Sequence, residues 1–272
     1  MSLLNVIDLK VIDSKTKDEI VKGVSFSLEK NKCLGIVGES GSGKSMTTKA
    51  ILGLINSNLK IEGEVIFNKN INLLNAKKEE LRKIRGQRIC MILQDSMSAF
   101  DPLYTIGYQM IETLIENKGI SKQKAKKISL EALEKILINE PKEVIKKYPH
   151  QLSGGMLQRC MIALALSMEP DIIIADEPTT ALDSINQREV VEEFKRLREL
   201  TGTSLIFISH DLGVVKHLAE DILVMKMGEQ VEYGNAKEVF SNPKHEYTKY
   251  LIETRIELTK SFKKSMDKEV AV

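Results

Sequence analysis

An eight-residue segment, GESGSGKS at 38–45, sets the strongest limit on how this chain can fold. It has the spacing G-x-x-x-x-G-K-[ST], and it stands between a short apolar run, CLGIVG at 33–38, and a helical pattern that begins near Lys44. The glycines let consecutive backbone N–H groups turn toward one phosphate, while the N-terminus of the next helix adds positive potential. The segment therefore predicts a phosphate-binding loop that joins a buried strand to a helix.

Nucleotide binding is the function that this loop predicts. A glycine-rich turn with an incidental lysine is the alternative, and the strand before the loop and the helix after it argue against that alternative. We expect Lys44 to reach the β- and γ-phosphates and Ser45 to bind Mg²⁺. The loop alone does not separate kinases, GTPases, motors and transporters. Its predicted nucleotide-binding residues are Gly38, Glu39, Ser40, Gly41, Ser42, Gly43, Lys44, Ser45 and Met46.

Two further runs, DIIIAD at 171–176 and SLIFIS at 204–209, are apolar without alternation. Strands buried on both faces have this pattern, and they occur in parallel sheets flanked by helices. Residues 3–12, 24–28 and 64–67 instead alternate apolar with polar side chains, which indicates an added antiparallel piece. The expected fold is α/β: a P-loop NTPase core with a parallel sheet, this antiparallel β piece, and an inserted helical lobe at about 95–165.

Periodicity also predicts which side chains face the core. In the first strand, Ile7 is expected to be buried. A helix capped by Ser121 is expected to run through residue 138 and to bury Leu137. A later helix, capped by Asp183 or Ser184, is expected to bury Leu200.

Asp176 and Glu177 end the apolar run at 171–176. Ligands of parallel sheets collect at the carboxyl ends of the strands, so we expect both carboxylates beside the phosphate loop. Asp176 would hold Mg²⁺, directly or through water, and Glu177 would polarise the water that attacks the phosphate. A polar turn that closes a strand is the other interpretation, and the loop upstream favours the catalytic one.

Three more segments extend the pattern: LSGGM at 152–156 before a helical run, ALD at 181–183, and SHD at 209–211. A serine and two glycines that open a helix can bind an anion, although an ordinary helix cap has the same residues. Together with the loop, with DIIIADE and with Gln94 in MILQD, they resemble the ATP-binding subunits of ABC transporters, in order from about residue 3 to 255. We expect one such domain at 1–255 and a charged tail at 256–272.

The resemblance implies a head-to-tail dimer that encloses two ATP molecules with Mg²⁺. Ser153, Gly154 and Gly155 form the family's signature and would contact the nucleotide held by the partner's loop. The resemblance also assigns roles to three polar residues: Gln94 senses Mg²⁺ and the attacking water, His210 contacts the γ-phosphate, and Asp183 lies in the D-loop at the nucleotide. A solvated loop glutamine and a capping histidine are the ordinary alternatives for Gln94 and His210.

Three strings resemble the peptide and nickel importer group within this family, and two further strings look most like the nickel-type members of that group. The strings are YPHQLSGG at 148–155, IADEPTTALD at 174–183 and PKHEYTKYL at 243–251, with SAFDP at 98–102 and SGGMLQR at 153–159 for the nickel type. Peptide-importing relatives often carry a late cysteine cluster, whereas this chain has no cysteine after Cys160. The expected function is an ATPase that energises import of nickel or a related metal, free or metallophore-bound; di- or oligopeptide import is the alternative.

Composition and length bear on the partners. With 40 Lys+Arg against 38 Asp+Glu, a formal charge of +2 gives no bulk electrostatic reason to bind nucleic acid. No apolar run approaches the roughly 20 residues that span a bilayer. The resemblance therefore implies transport through two membrane permease subunits, with an extracytoplasmic substrate-binding protein and a related second ATPase subunit, at the cytoplasmic face of the cell membrane.

Two other classes of ABC protein are less consistent with the sequence. Soluble ABC ATPases that act on DNA or ribosomes tend to have a long coiled coil or two cassettes in one chain, and the sequence shows neither. An ATPase-inactive regulatory subunit would not need the full set of site residues, which is Lys44, Asp176, Glu177 and His210.

Two aromatic residues are candidates for contact with the membrane subunits. Residues 95–105 follow Gln94, and Phe100 and Tyr104 are expected to receive a short permease helix or, alternatively, to pack the helical lobe against the core.

Many relatives stack adenine on an aromatic ring near the first strand, but Phe26, the one aromatic residue before the loop, has the pattern of a core residue. A missing ring would lower nucleotide affinity by on the order of 1 kcal/mol.

Overall fold

The computed structural model describes residues 2–94, 99–179 and 184–254. Its strands are β1 (Ser2–Asp13), β2 (Glu19–Glu29), β3 (Cys33–Val37), β4 (Leu59–Phe67), β5 (Ile71–Asn72), β6 (Ile89–Ile92), β7 (Ile172–Asp176), β8 (Ser204–Ser209), β9 (Asp221–Lys226) and β10 (Glu229–Asn235). Its helices are α1 (Lys44–Ile51), α2 (Lys78–Ile84), α3 (Ile106–Lys118), α4 (Lys122–Lys135), α5 (Pro141–Val144), α6 (Gly154–Ser167), α7 (Ser184–Thr201), α8 (Leu212–Lys216), α9 (Ala236–Ser241) and α10 (246–254).

A mixed sheet of six strands has the order β10-β9-β3-β8-β7-β6, in which β10 is antiparallel to its neighbour and the other pairs are parallel. The three predicted apolar runs are β3, β7 and β8, and all their residues are buried. Successive residues of β3 enter different cores: Cys33 and Val37 pack with the helices, whereas Leu34 and Ile36 pack with the second sheet. The unbroken apolar pattern therefore results from cover on both faces, as predicted.

The second sheet is antiparallel, with the order β2-β1-β4-β5, and it confirms the predicted β addition. The prediction for Ile7 is wrong, because this side chain is 49% exposed. Asp8 has a φ of 47°, and the pairing of β1 with β2 passes from Val6 directly to Leu9. This bulge shifts the alternation along β1, so that Val6 and Leu9 face the core and Ile7 faces away.

Helices α3, α4, α5 and α6 follow β6 and precede β7, in the interval for which the sequence predicts a helical lobe. The bounds of that lobe stay a prediction. Ser121 caps α4 as expected, since its hydroxyl accepts a hydrogen bond from the N–H of Lys124. The helix ends at Lys135, three residues before the predicted end, and Leu137 turns outward in the left-handed region with 60% of its surface exposed.

Leu200 is also exposed, at 64%, against the prediction. It lies in the last turn of α7, whereas Val191, Phe194 and Leu197 on the earlier turns are buried. Gly202, with a φ of 66°, follows the end of α7, where a glycine in the left-handed region commonly ends a helix. Apolar periodicity thus continues beyond the part of α7 that the core covers.

Gly35 allows α8 to pack directly on the middle of β3. A Cβ at this position would lie 2.1 Å from Cγ1 of Val215, a buried residue of α8. We expect Gly35→Ala to lower the free energy of unfolding by about 1–3 kcal/mol, in the range of an overpacked core. Gly234→Ala, on the edge strand β10, is the control: its Cβ meets no atom closer than 3.7 Å, and we expect a change within about 0.5 kcal/mol. Urea denaturation measures both; equal midpoints would contradict the close packing of α8.

Candidate functional site

Four neighbouring strands bring the predicted phosphate loop and the three predicted catalytic residues to one edge of the six-stranded sheet. In the order β3, β8, β7 and β6, their carboxyl ends lead to the loop at 38–45, to His210, to Glu177 and to Gln94. Residues more than a hundred positions apart in the sequence therefore lie side by side, as the carboxyl-end rule for parallel sheets predicts.

The backbone of the loop at 38–45 has a shape that suits a bound phosphate. Gly38 has a φ of 153°, and a Cβ there would lie 2.2 Å from the carbonyl oxygen of Met225, so glycine is required. Gly43, at a φ of 97°, precedes α1 without any side-chain capping hydrogen bond, and the first N–H groups of α1 are left for another acceptor. Ser42 Oγ is buried and has no hydrogen-bond partner among the described residues. These features fit an anion.

Lys44 is the cation of the loop, and only 4% of it is exposed. Its ammonium donates hydrogen bonds to the carbonyl oxygens of Gly38 (2.9 Å) and Glu39 (2.8 Å), and it lies 3.7 Å from the carboxylate of Glu177. Burial lowers the pKa of Lys44, and the neighbouring carboxylates of Glu177 and Asp176 oppose that shift. A phosphate would supply the negative charge that keeps this buried ammonium protonated.

Ser45 and Asp176 form the oxygen pair on which a magnesium site would depend. The Ser45 hydroxyl donates to Oδ1 of Asp176 at 2.7 Å, next to the start of α1. Burial raises the pKa of the Asp176 carboxyl, while the hydrogen bond from Ser45 and nearby Lys49 lower it. A cation would favour the ionised form in the same way. A hydroxyl and a carboxylate beside a phosphate loop are ligands that Mg²⁺ prefers, so these residues fit the ion.

Glu177 occupies the centre of the cluster. Its Oε2 lies 3.4 Å from Nε2 of Gln94 and 3.5 Å from Nδ1 of His210. Its φ of 46° is uncommon for a residue with a side chain, and its N–H donates to the carbonyl oxygen of Ile208 on β8. Backbone strain of this kind concentrates at functional sites, and here it follows directly after β7.

A cavity of about 480 Å³ opens between the loop and these side chains, lined by Gly38, Glu39, Ser40, Gln94, Glu177, His210 and Leu251. Sequence reasoning did not place Leu251 at the site. It belongs to α10, from which Tyr247 also reaches the loop: the Tyr247 hydroxyl accepts a hydrogen bond from the N–H of Glu39 at 3.1 Å. Both residues lie in the string PKHEYTKYL. That string indicates a resemblance to the peptide and nickel importer group, but nothing in it predicts a contact with the nucleotide loop.

The signature residues stand apart from this cavity. Ser153 caps α6 by accepting a hydrogen bond from the N–H of Met156 at 3.3 Å, as a helix-opening serine should. A Cβ at Gly154 or Gly155 would meet no atom within 4 Å, and none of these three residues lines the cavity. Asp183 lies outside the described residues.

Phe100 does not belong to an exposed docking surface. It is 4% exposed and packs in the core with the helices, which supports the alternative interpretation of this residue. Tyr104 is 46% exposed and stacks on Tyr108 with ring centroids 4.8 Å apart. Phe26 is buried as predicted, at 4% exposure. Residues 95–98, the first part of the candidate contact segment, lie outside the described residues.

Comparison with known proteins agrees with the fold and with the family that the sequence resembles. A family model described as ABC transporter matches residues 21–180. The metal-staphylopine import system ATP-binding protein CntD of Staphylococcus aureus (strain NCTC 8325 / PS 47) is 44% identical over 270 residues, which cover 99% of each chain. The dipeptide transport ATP-binding protein DppD of Lactococcus lactis subsp. cremoris (strain MG1363) is 50% identical over 236 residues, 86% of this chain and 67% of that protein.

A solved structure extends the agreement to three dimensions. The dimeric, post-hydrolysis state of the ATP-binding cassette MJ0796, bound to ADP and Pi, has a TM-score of 0.75 and 30% sequence identity, and the match covers 86% of this chain and 98% of that one. The family model, the similarity to CntD over nearly the full length of both chains, and the fold agree. This chain belongs to the ABC transporter family.

Proposed function

We propose that this chain is the ATP-hydrolysing subunit of an ABC importer. The observation that carries the proposal is the surroundings of Glu177, whose carboxylate contacts both His210 and the loop lysine. That arrangement joins a candidate general base to a phosphate-binding loop. It favours hydrolysis of a nucleoside triphosphate over the role of an ATPase-inactive regulatory subunit.

The loop binds and orients the triphosphate. Its N–H groups and Lys44 contact the β- and γ-phosphates, where they offset the charge that develops during transfer. Ser45 and Asp176 would hold Mg²⁺, which would supply further neutralisation of that charge when bound. Because Gly38 and Gly43 already shape the backbone of the loop, nucleotide binding needs little change in that backbone, and the side chain of Lys44 is the group that must change partners.

The carboxylate of Glu177 takes the proton from the attacking water. Gln94 and His210 both lie close to Oε2 of Glu177. From there Gln94 orients the attacking water and His210 contacts the γ-phosphate. The cavity between these side chains and the loop is the place where water and phosphate meet. The reaction transfers the γ-phosphoryl group to water and leaves ADP and phosphate.

The signature serves a nucleotide that this chain does not itself hold. Glycine lowers helix stability, and neither Gly154 nor Gly155 has a neighbour that would exclude a side chain. The fold of the single chain therefore gives no reason for two glycines at the start of α6. A second ATPase subunit, whose loop brings its nucleotide against the N–H groups of Ser153, Gly154 and Gly155, provides that reason. Asp183 is proposed to lie at the same interface.

Membrane subunits carry the substrate itself. Among the described residues, no helix has the length and apolar character needed to cross a bilayer. We propose that the complete importer has two permease subunits and that a short helix of one of them docks on this chain, on the cytoplasmic side of the membrane. Leu103, Tyr104 and Tyr108, which follow the Gln94 segment in the sequence, are exposed there. Because Phe100 is buried, the contact relies on Leu103 and Tyr104.

The imported substrate is proposed to be nickel or a related metal, free or bound to a metallophore. Full-length similarity to CntD favours this class, while the similarity to DppD keeps di- or oligopeptides as the alternative. To decide, the complex is purified through this subunit, and the copurifying extracytoplasmic binding protein is titrated with Ni²⁺, metal–metallophore complexes and peptides. Tight peptide binding without any response to metal would overturn the metal assignment. The same purification shows whether the second ATPase is a different chain.

Replacing Glu177 tests the catalytic base. We expect Glu177→Gln to retain ATP binding and to lower turnover by about 10²-fold or more, because the proton acceptor is lost. Glu169→Gln is the matched control: Glu169 also has a positive φ, but its side chain is 81% exposed and pairs with Lys118, and neither residue lines the cavity. Nucleotide binding and phosphate release by the assembled transporter are the measurements. Turnover of Glu177→Gln at the level of Glu169→Gln would refute the assignment.

Replacing Gly155 separates stability from function. Since a Cβ there meets open space and alanine favours the helix, we expect Gly155→Ala to leave the free energy of unfolding unchanged or to raise it by up to about 1 kcal/mol. Turnover in the assembled transporter is expected to fall at least about tenfold, in the range of a perturbed charge-stabilising group. ATP binding by the variant's own loop should not change. Wild-type turnover would contradict a close approach to the signature.

A further inference from the structure

The segment before α10 is hydrogen-bonded to the six-stranded sheet, and α10 then contacts the nucleotide loop. The carboxylate of Glu232, on β10, accepts hydrogen bonds from the N–H groups of Lys244 (2.9 Å) and His245 (3.1 Å). His245 Nδ1 in turn accepts from the N–H of Tyr247 at 3.1 Å. These bonds fix the start of α10 and the direction in which its first turn points.

Tyr247 connects this anchored helix with the loop. Only 6% of the residue is exposed, and its ring lies under the ammonium of Lys226, 4.8 Å from the ring centroid, at the end of β9. Its hydroxyl oxygen accepts the N–H of Glu39 across 208 residues of sequence. Because α10 and β9 both hold the ring, the hydroxyl is a fixed acceptor.

The peptide that Tyr247 contacts is the same one that Lys44 contacts. The carbonyl of Gly38 and the N–H of Glu39 belong to one peptide group: Lys44 Nζ donates to its oxygen at 2.9 Å, and the Tyr247 hydroxyl accepts from its nitrogen. The group is rigid and planar, so holding its nitrogen also sets the direction of its oxygen. Within the described part of the chain, the bond from Lys44 would be the remaining hydrogen bond to this peptide if Tyr247 were removed, and the Lys44 ammonium must turn to the phosphates when nucleotide binds.

We propose that Tyr247 is a positioning residue of the nucleotide site. Its hydroxyl holds the peptide between residues 38 and 39 in the phosphate-binding conformation while Lys44 exchanges partners, and α10 thereby contributes to nucleotide affinity. The inference rests on the proposed function, since it requires that the loop bind ATP. Tyr247 is assigned no contact with the reacting atoms. Its removal is therefore expected to change nucleotide binding and not the chemical step.

The pair Tyr247→Phe and Tyr250→Phe tests the proposal in the full chain. Tyr250 lies on the same helix, is 55% exposed and stacks on Tyr247 at 6.5 Å, but its hydroxyl makes no hydrogen bond with the described residues. Loss of the Tyr247 hydrogen bond is expected to raise the Kd and KM for MgATP about 2–10-fold, with kcat within about twofold of wild type. Tyr250→Phe is expected to match wild type in all three.

Amide hydrogen exchange gives a second, activity-independent measurement. The N–H of Glu39 is expected to exchange faster in Tyr247→Phe and to stay protected in Tyr250→Phe, while the rest of the sheet keeps its protection in both. Equal Kd values and equal Glu39 exchange in the two variants would overturn the positioning role. A wild-type chain that does not bind MgATP would instead overturn the proposed function, so the two failures are distinguishable.

Discussion

Parallel pairing of β3, β8, β7 and β6 is the constraint on which the site depends. The ladders continue to the strand ends: Val37 pairs with Ser209, Asp176 with Ile208, and Ala175 with Ile92. One residue of strand spans about 3.3 Å, which is more than a hydrogen-bond length. A register slip of a single residue would therefore separate Glu177 from its neighbours. The geometry of the site is set by backbone hydrogen bonds before any catalytic side chain contributes.

Packing behind the sheet supports the same geometry. Gly35 lets α8 approach β3, and the carboxylate of Asp211 caps α8 by accepting hydrogen bonds from the N–H groups of Gly213 (2.7 Å) and Val214 (3.3 Å). His210 immediately precedes this cap, so its position follows from where α8 begins. The histidine that contacts Glu177 is thus placed by a helix cap and by the absence of a side chain on the neighbouring strand.

The sequence predicted the features that depend on local chemistry, and missed those that depend on distant contacts. The loop at 38–45, the Ser153 cap and the buried strands each depend on residues that are close together in the sequence. The structure contains all three features. The bulge at Asp8 reversed the expected face of Ile7, because register is decided by the partner strands. Tyr247 could not be placed at the site from periodicity, since its contact with Glu39 depends on the anchoring of α10 to β10.

Electrostatics explain why the shape of the loop matters as much as its charge. Lys44 is buried, its pKa is lowered by that burial, and its ammonium already donates to the carbonyl oxygens of Gly38 and Glu39. When it turns to a phosphate it exchanges hydrogen bonds, and the net gain is smaller than the bare attraction of two charges. N–H groups at the uncapped start of α1 give up no such contacts. Affinity therefore depends on how well the backbone of 38–45 is held, and a chain with a formal charge of only +2 can bind a polyanion.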